Sequence, residues 1–383
     1  MDNKIIIKNI GHQAPSVGVV ICKPTRACNA DCDFCSSPPY DVNQWSIEDF
    51  KFYFDKLSPS LTDNCMWIWH GGEPMLMGVE FYKSACEYAR TIKPNIRFSM
   101  QTNLLLYNDD WKDIILDIFD GSLSTSYDPD EQDRTIKGNS EIYNKRFLKK
   151  LDQSMRDGIY PMVIGTFSAD SIGSADLLYD LSLEYEYELG RGFPIRLNYR
   201  YPAGRESSEL ISGNLLSPSQ YGAMLLRLYD KWIVDLPNFT ITPLDQMFNR
   251  VVGVDSNRCP WLNNCGGRFL GLEPNGDVYN CSDFADLREQ KYCFGNLKVN
   301  SLQEIFSSDA MRLIRHRRVD VPDSCRTCSH YSECQGGCVR DSVLYNRGLG
   351  GKFYYCESWM MVFNRIKETL RSGDALLAKN KYK

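Results

Sequence analysis

Surplus positive charge is missing from this 383-residue chain: 44 Lys and Arg stand against 49 Asp and Glu, a formal net charge of −5. A broad nucleic-acid surface works by displacing phosphate counterions with clustered cations, so the composition excludes that class. Long apolar runs are missing too, and none approaches the ~20 residues that cross a bilayer. The start, Met1-Asp2-Asn3-Lys4-Ile5-Ile6-Ile7-Lys8, lacks the apolar core of a secretory signal. These absences predict a cytoplasmic protein with neither a membrane nor a nucleic-acid partner. One further gap is local: the chain has 15 cysteines, and none lies between Cys86 and Cys259.

Cysteines in a chain without an export signal remain reduced, and they serve as metal ligands more often than as disulfides. Their uneven placement predicts two metal regions flanking a cysteine-free body, hence two domains. The first region is the run Cys28-Asn29-Ala30-Asp31-Cys32-Asp33-Phe34-Cys35. It offers three thiolates and no fourth. A three-cysteine zinc site would use them, and so would a [4Fe–4S] cluster with one iron left open to a substrate or cosubstrate. Elsewhere, the one dense basic stretch, Arg315-His316-Arg317-Arg318, reads as a solvated helix end or a dock for an acidic peptide or an electron donor.

The first half alternates strand and helix patterns. Strands are expected at Val17 to Cys22, Cys65 to Trp69, Ile96 to Gln101, Ser122 to Tyr127, Met162 to Phe167 and Ile195 to Tyr199. Helices are expected between them, at Ser46 to Leu57, Val79 to Ile92, Asp109 to Phe119, Ile142 to Asp157 and Ala175 to Leu189. Ser46 with Asp49 is close to a capping box, and Asn108 marks another helix start. Six β-α units in series predict an α/β fold, a partial (β/α)6 TIM-like barrel with chemistry at the carboxyl ends of its strands. The cysteine loop follows the first strand and lands on that face. A loop over Pro202 to Ser217 and a bridging helix over Ser219 to Val234 complete this part.

At the end of the second strand stands Trp69-His70-Gly71-Gly72-Glu73-Pro74. Paired glycines allow close backbone approach, and a carboxylate with free carbonyls can receive an ammonium group. The C-x3-C-x2-C loop, with an aromatic before its last cysteine, resembles the signature of the radical S-adenosylmethionine (SAM) enzymes, and the Gly-Gly-Glu-Pro segment resembles their methionine-binding turn. The resemblance implies that Cys28, Cys32 and Cys35 hold a [4Fe–4S] cluster whose open iron chelates SAM. It also implies that Gly71, Gly72, Glu73 and Pro74 receive the SAM amino group, and that Phe34 packs near the adenine. Gln101-Thr102-Asn103 and Ser124-Thr125-Ser126-Tyr127-Asp128 resemble ribose- and carboxylate-contacting positions, which assigns Asn103, Ser126 and Asp128. Arg134 is a candidate partner of the SAM carboxylate, because a guanidinium matches a carboxylate in geometry.

The second cysteine region resembles the SPASM extension of radical SAM peptide- and protein-modifying enzymes. By that resemblance Cys259, Cys265, Cys281 and Cys338 hold one auxiliary [4Fe–4S] cluster, and Cys325, Cys328, Cys334 and Cys356 hold another, three clusters in all. Two structural zinc sites would use the same ligands. Cys22, Cys65, Cys86 and Cys293 are left as buried free thiols. The implied domains are a barrel with bridging helix over 15–235, a cysteine-rich SPASM domain over 236–365 and a helical tail over 366–383. The implied activity is hydrogen-atom abstraction by a 5′-deoxyadenosyl radical from an unactivated carbon of a ribosomally made precursor peptide, closing a cyclophane-type or similar crosslink. The alternative is an anaerobic sulfatase-maturing enzyme that oxidises Cys or Ser to formylglycine. In those relatives an Asp directly follows the cysteine corresponding to Cys281; here Asp283 is displaced by one residue, which favours crosslinking while leaving Asp283 a candidate base. Expected partners are a precursor peptide or protein and a reductant such as flavodoxin or ferredoxin.

Overall fold

The computed structural model describes residues 16–39, 42–129, 132–207, 214–254, 258–262, 265–317, 319–345 and 348–372. The N-terminal eight residues, Arg318 and the end of the expected tail lie outside them. Seven parallel strands run in sequence order: β1 (Val17–Cys22), β2 (Leu61–Trp69), β3 (Arg97–Thr102), β4 (Leu123–Ser126), β5 (Met162–Phe167), β6 (Ile195–Tyr199) and the short β7 (Ile241–Thr242). The connecting helices are α1 (Ile47–Leu57), α2 (Val79–Ile92), α3 (Asp109–Asp113, continued by a wider π turn over Ile114–Ile118), α4 (Ser140–Arg156) and α5 (Ser174–Leu189). The expected start signals operate: Ser46 and Asp49 form a reciprocal capping box, and the Asn108 side chain accepts from the Trp111 N–H. Alternation along β5 shows the sidedness. Val163, Gly165 and Phe167 are buried, while Ile164 and Thr166 face a central cavity.

Beyond β7 the chain returns to the opposite edge. After α6 (Pro218–Asp235) and α7 (Leu244–Val251), strand β8 (Phe269–Leu272) pairs in parallel with β1, placing Val19 opposite Phe269 and Cys22 opposite Leu272. Antiparallel β9 (Asp277–Tyr279) and β10 (Gly295–Asn296) extend the sheet to ten strands. The sequence reading did not anticipate β7 to β10. Through β8 the last three join the cysteine-rich half to the first strand of the barrel. Then come α8 (Ser282–Asp286), α9 (Asp309–His316), α10 (Val339–Leu344) and α11 (Cys356–Ser372). Helix α11 lies along α6, where Gly222 leaves room for Ser358 and Met361, and Arg365 pairs with Asp230 at 2.8 Å.

Charge stitches the join internally. Lys23, at the end of β1, is fully buried and pairs with Asp286 of α8 at 2.6 Å and with Glu273 at 3.0 Å. Burial opposes the Lys23 charge, and Asp286 and Glu273 outweigh it, holding its pKa above the usual lysine value. Arg26 donates from Nε to Glu273 at 2.7 Å and from Nη1 to Ser37 at 2.9 Å. The basic run is not a solvated helix end. Arg317 is buried and donates to the Gly336 carbonyl at 3.1 Å, and Arg315 donates to the Gly266 carbonyl at 3.2 Å. The reason is local: glycine-rich turns beside the cysteines leave carbonyls unpaired, and guanidinium groups supply the donors.

Candidate active site

A cavity of about 350 Å³ opens at the carboxyl ends of the strands. Its wall takes residues from the loop after β1 (Cys32, Phe34, Cys35), from the end of β2 (His70, Gly71, Gly72), from β6 (Arg196 to Tyr199), and from the cysteine-rich half (Cys259, Asp283, Cys338, Arg340). Residues of β1 and β6, far apart in strand order, therefore face one space, so the sheet is curled. Phe34 shows the closure directly: its ring lies 4.8 Å from the Arg134 guanidinium and 4.4 Å from that of Arg200, just past β6.

The cysteine loop is held by the turn after β2. The Gly72 N–H donates to the Thr25 carbonyl at 3.1 Å, and the Glu73 N–H to the Ala27 carbonyl at 2.7 Å. A Cβ on Gly71 would meet the Thr25 oxygen at 2.1 Å, and one on Gly72 the Ala27 oxygen at 2.2 Å. The paired glycines thus let β2 approach the backbone that leads into Cys28. Glu73 is fully buried. Its Oε1 accepts from the Met75 N–H at 2.8 Å and the Thr102 hydroxyl at 2.7 Å, and its Oε2 accepts from the Asn103 N–H at 2.7 Å. Burial pushes its pKa up to about 7 against those three donors. Glu73 and Pro74 stand behind the cavity wall, where the carboxylate fixes the end of β3, and Asn103 stands on the wall.

Other candidates divide in the same way. Ser126 and Arg134 line the cavity; Asp128 lies behind it, buried and accepting from Arg134 Nε at 2.6 Å. Asn103 Nδ2 reaches Cys28 Sγ at 3.8 Å. Cys28, Cys32 and Cys35 share the loop, and burial, then Glu73 and the other two thiols, push the Cys28 pKa up to about 12. Asp283, half exposed at the start of α8, faces the cavity despite its displacement by one residue. It pairs at 3.1 Å with Arg340, which also pairs with the fully buried Asp341 at 2.7 Å and lies 4.0 Å from the Tyr201 ring. Tyr199 donates its hydroxyl to Asp341. Sequence reasoning named Asp283 but missed its partners Arg340, Asp341, Tyr199 and Tyr201, and the Lys23–Arg26 cluster.

The remaining cysteines fall into two neighbourhoods. Burial, then Asp283, then the Cys259 and Cys265 thiols push Cys281 up; burial, then Asp341, and also Cys259, push Cys338 up. Cys334 is pushed up to about 12 by burial and by Cys356, Cys325 and Cys328. Cys22, Cys65, Cys86 and Cys293 are buried free thiols. Among the described residues no three His, Cys, Asp or Glu side chains converge as ligands of a single ion. Soft thiol donors grouped in this way fit iron–sulfur clusters.

Residues 259–329 match the SPASM family, an iron–sulfur cluster-binding domain. Over 371 residues the chain is 23% identical to a cysteine-type anaerobic sulfatase-maturating enzyme of Clostridium novyi, covering 91% of this chain and 95% of the relative. A serine-type enzyme of Bacteroides thetaiotaomicron is 24% identical, covering 91% and 89%. The chain carries a SPASM domain and is similar along nine-tenths of its length to enzymes of the radical SAM class that carry one. Its cofactors are accordingly [4Fe–4S] clusters and SAM. The fold agrees with solved members. The enzyme anSMEcpe with bound AdoMet and Kp18Cys peptide superposes with a TM-score of 0.79 at 20% identity, covering 94% of this chain and 99% of that one. Streptococcus suis SuiB bound to its precursor peptide SuiA gives 0.61 at 13% identity, covering 91% and 77%. Among the described residues no helix is long and apolar enough to cross a membrane.

Proposed function

We propose that the enzyme oxidises a cysteine or serine side chain of a polypeptide to formylglycine. The observation that carries this reading is the shared cavity: Cys32 and Cys35 stand on its wall together with Cys259, Cys338 and Asp283. A side chain inside it meets, without moving, a hydrogen-abstracting centre and groups that take up a proton, as removal of one hydrogen atom, one proton and one electron requires. Bound at Cys28, Cys32 and Cys35, the cluster with SAM supplies hydrogen-atom abstraction from an unactivated carbon. In this reading the Gly71–Gly72 backbone, Asn103, Ser126 and Arg134 hold the polar groups of SAM, and Phe34 stands beside its adenine. Glu73, Pro74 and Asp128 act from behind, fixing Asn103 and Arg134. Cys259, Cys265, Cys281 and Cys338 hold one auxiliary cluster, and Cys325, Cys328, Cys334 and Cys356 the other. Asp283, oriented by Arg340, takes the proton of the target thiol or hydroxyl. The barrel extends over 15–235 and the SPASM domain over 236–365. The enzyme works in the cytoplasm with a flavodoxin- or ferredoxin-type reductant.

Two observations favour this reading over crosslinking. The curated sulfatase-maturating relatives align along nine-tenths of the chain. Asp283 also faces the cavity, so its displacement no longer separates the two activities. Crosslinking of a ribosomally made precursor peptide is the second reading, supported by the fold shared with SuiB. The test is anaerobic incubation of the reconstituted enzyme with SAM, a reductant and a cysteine-containing peptide such as Kp18Cys, read by tandem mass spectrometry. An aldehyde at the cysteine supports formylglycine formation. Loss of two hydrogens with fragmentation suppressed across a short window favours crosslinking. SAM cleavage that persists in Cys28→Ala overturns both.

A further inference from the structure

Four arginines line the cavity, and three of them are paired with acids. Arg134 holds Asp128 at 2.6 Å, Arg200 holds Asp133 at 2.6 Å, and Arg340 holds Asp283 and Asp341. Arg196 is different. It sits on the inner face of β6, two residues before Asn198, and its Nε donates to the Asn198 side-chain oxygen at 3.1 Å. It forms no ion pair with a described carboxylate, and its two terminal nitrogens have no hydrogen-bond partner among the described residues. Asp245, on α7, is within reach of its field, but that carboxylate accepts from the Thr242 hydroxyl at 2.9 Å. Around Arg196 the wall carries Thr242 on β7, Gln246 on α7 and the Cys259–Pro260 segment, in which Cys259 is a candidate cluster ligand. The Gln246 side-chain oxygen is engaged by the Trp261 ring N–H at 2.7 Å, so it does not serve Arg196.

A half-buried guanidinium whose terminal nitrogens are open on a cavity wall favours a planar anion, because desolvation of the cation is offset best by a charged partner. Arg134, beside the cysteine loop, already answers the carboxylate of SAM in the reading above. Arg196 stands on the β6–β7 side of the same cavity, apart from the cysteine loop. Before modification the anionic groups of a polypeptide are its Asp and Glu side chains and its C-terminal carboxylate. We propose that Arg196 is a specificity-determining residue that receives a substrate carboxylate a few residues from the modified position. The inference rests on the proposed action on a polypeptide and adds to it the charge that the substrate must carry.

The test uses the reconstituted holoenzyme with SAM and paired synthetic cysteine-centred peptides. The pairs differ as Glu against Gln at each of the four positions on either side of the cysteine, and as free against amidated C-terminus. Binding is read by fluorescence anisotropy and turnover by mass spectrometry, so that KM and kcat separate. At one position the Glu peptide binds about tenfold to a hundredfold more tightly than its Gln partner, the range expected of a charge-assisted bidentate contact, with kcat little changed. Arg196→Gln removes that preference by weakening the Glu peptide alone, and Arg196→Lys keeps part of it; iron content and circular dichroism match the parent enzyme in both variants. Peptides that are modified equally well with Glu or Gln at every position overturn the role of Arg196 and leave the peptide-oxidising reading standing. Retained preference in Arg196→Gln, with only the midpoint potential of an auxiliary cluster shifted, also overturns it and assigns Arg196 to the cluster near Cys259. Peptides that are neither bound nor modified overturn the reading and the inference together.

Discussion

Gly72→Ala tests whether the turn after β2 positions the cysteine loop. The added Cβ would lie 2.2 Å from the Ala27 oxygen and 2.3 Å from the Arg26 oxygen, both backbone atoms that cannot swing aside. Ordinary contact needs about 3.2–3.5 Å, so strand and loop must separate by about 1 Å. That displacement takes the Glu73 N–H to Ala27 carbonyl bond from 2.7 Å, and the Gly72 N–H to Thr25 carbonyl bond from 3.1 Å, beyond hydrogen-bond range. Two lost bonds at about 1 kcal/mol each, with about 1–2 kcal/mol of overpacking, give about 3–4 kcal/mol. An unfolding entropy of about 2.1 cal/mol/K per residue over 383 residues makes this about 4–5 °C in Tm. Function should suffer more, because a shift of about 1 Å in a site that relies on position can lower rate by about 100-fold. The assay is a thermal melt alongside anaerobic release of 5′-deoxyadenosine from SAM. Gly173→Ala is the control: it has an ordinary backbone conformation with nothing within 4 Å of the new Cβ, and should melt like the parent. A Gly72→Ala enzyme that melts and cleaves SAM like the parent would falsify the close-approach argument.

Further expectations follow the same logic. Lys23→Met leaves Glu273 and Asp286 sharing Arg26 as their one remaining buried cation among the described residues, and should cost about 3 kcal/mol in chemical denaturation, where a loss under 1 kcal/mol would contradict the stitching role. His70 is held down to about 4, by burial first and then by Lys23, so its native form is the neutral one. Stability from this group is complete above about pH 6.5 and falls as pH drops towards 4, by about 2 kcal/mol after allowance for its position on the cavity wall; His70→Gln should flatten that part of the stability–pH curve. Tyr199→Phe removes the hydroxyl that Asp341 accepts from and should lower stability by about 1–3 kcal/mol, measured by urea titration. Glu73→Gln keeps one acceptor oxygen and places an NH2 against donors, so SAM binding by equilibrium dialysis should weaken at least tenfold while cluster iron is retained.

The residues most legible in the sequence were those whose local pattern is also their structural role. β1, β5 and β6 begin and end where their apolar, β-branched runs do, and the Ser46–Asp49 box caps α1 as its spacing requires. Long-range partners left no such trace. β8 is a four-residue strand that gains meaning only beside β1, some 250 positions earlier, and Lys23 with Asp286 are 263 residues apart. Glu73 was legible as a ligand-site residue but not as one whose oxygens are taken by Met75, Thr102 and Asn103, because a motif names residue types and not the direction of their hydrogen bonds. The Arg315–Arg318 run looked solvated because charge runs commonly are; the unpaired glycine-turn carbonyls that draw Arg315 and Arg317 inward come from distant loops. Arg196 did leave a signal. The strand Ile-Arg-Leu-Asn-Tyr alternates apolar and polar, and in a curled parallel sheet covered by helices the polar face points to the cavity rather than to water.

The join between the halves bears on how one cavity can serve two kinds of chemistry. Cys28 follows Arg26 by two residues, and Asp283 precedes Asp286 by three; Arg26 and Lys23 hold Glu273 and Asp286. The loop that carries Cys28, Cys32 and Cys35 and the helix that carries the candidate base are thus fixed to one buried set of charges, reinforced by β8 pairing with β1. Opposite charges with satisfied hydrogen bonds tolerate little displacement, since separating them leaves a bare ion in a dry interior. Under the proposed function, a flexible tether would let the hydrogen-abstracting and proton-accepting sides of the cavity move apart, and a reactive intermediate would wait for the second group. The charge cluster holds the two sides together from behind the wall and leaves the inner side of β6, with Arg196 and Asn198, open to the cavity.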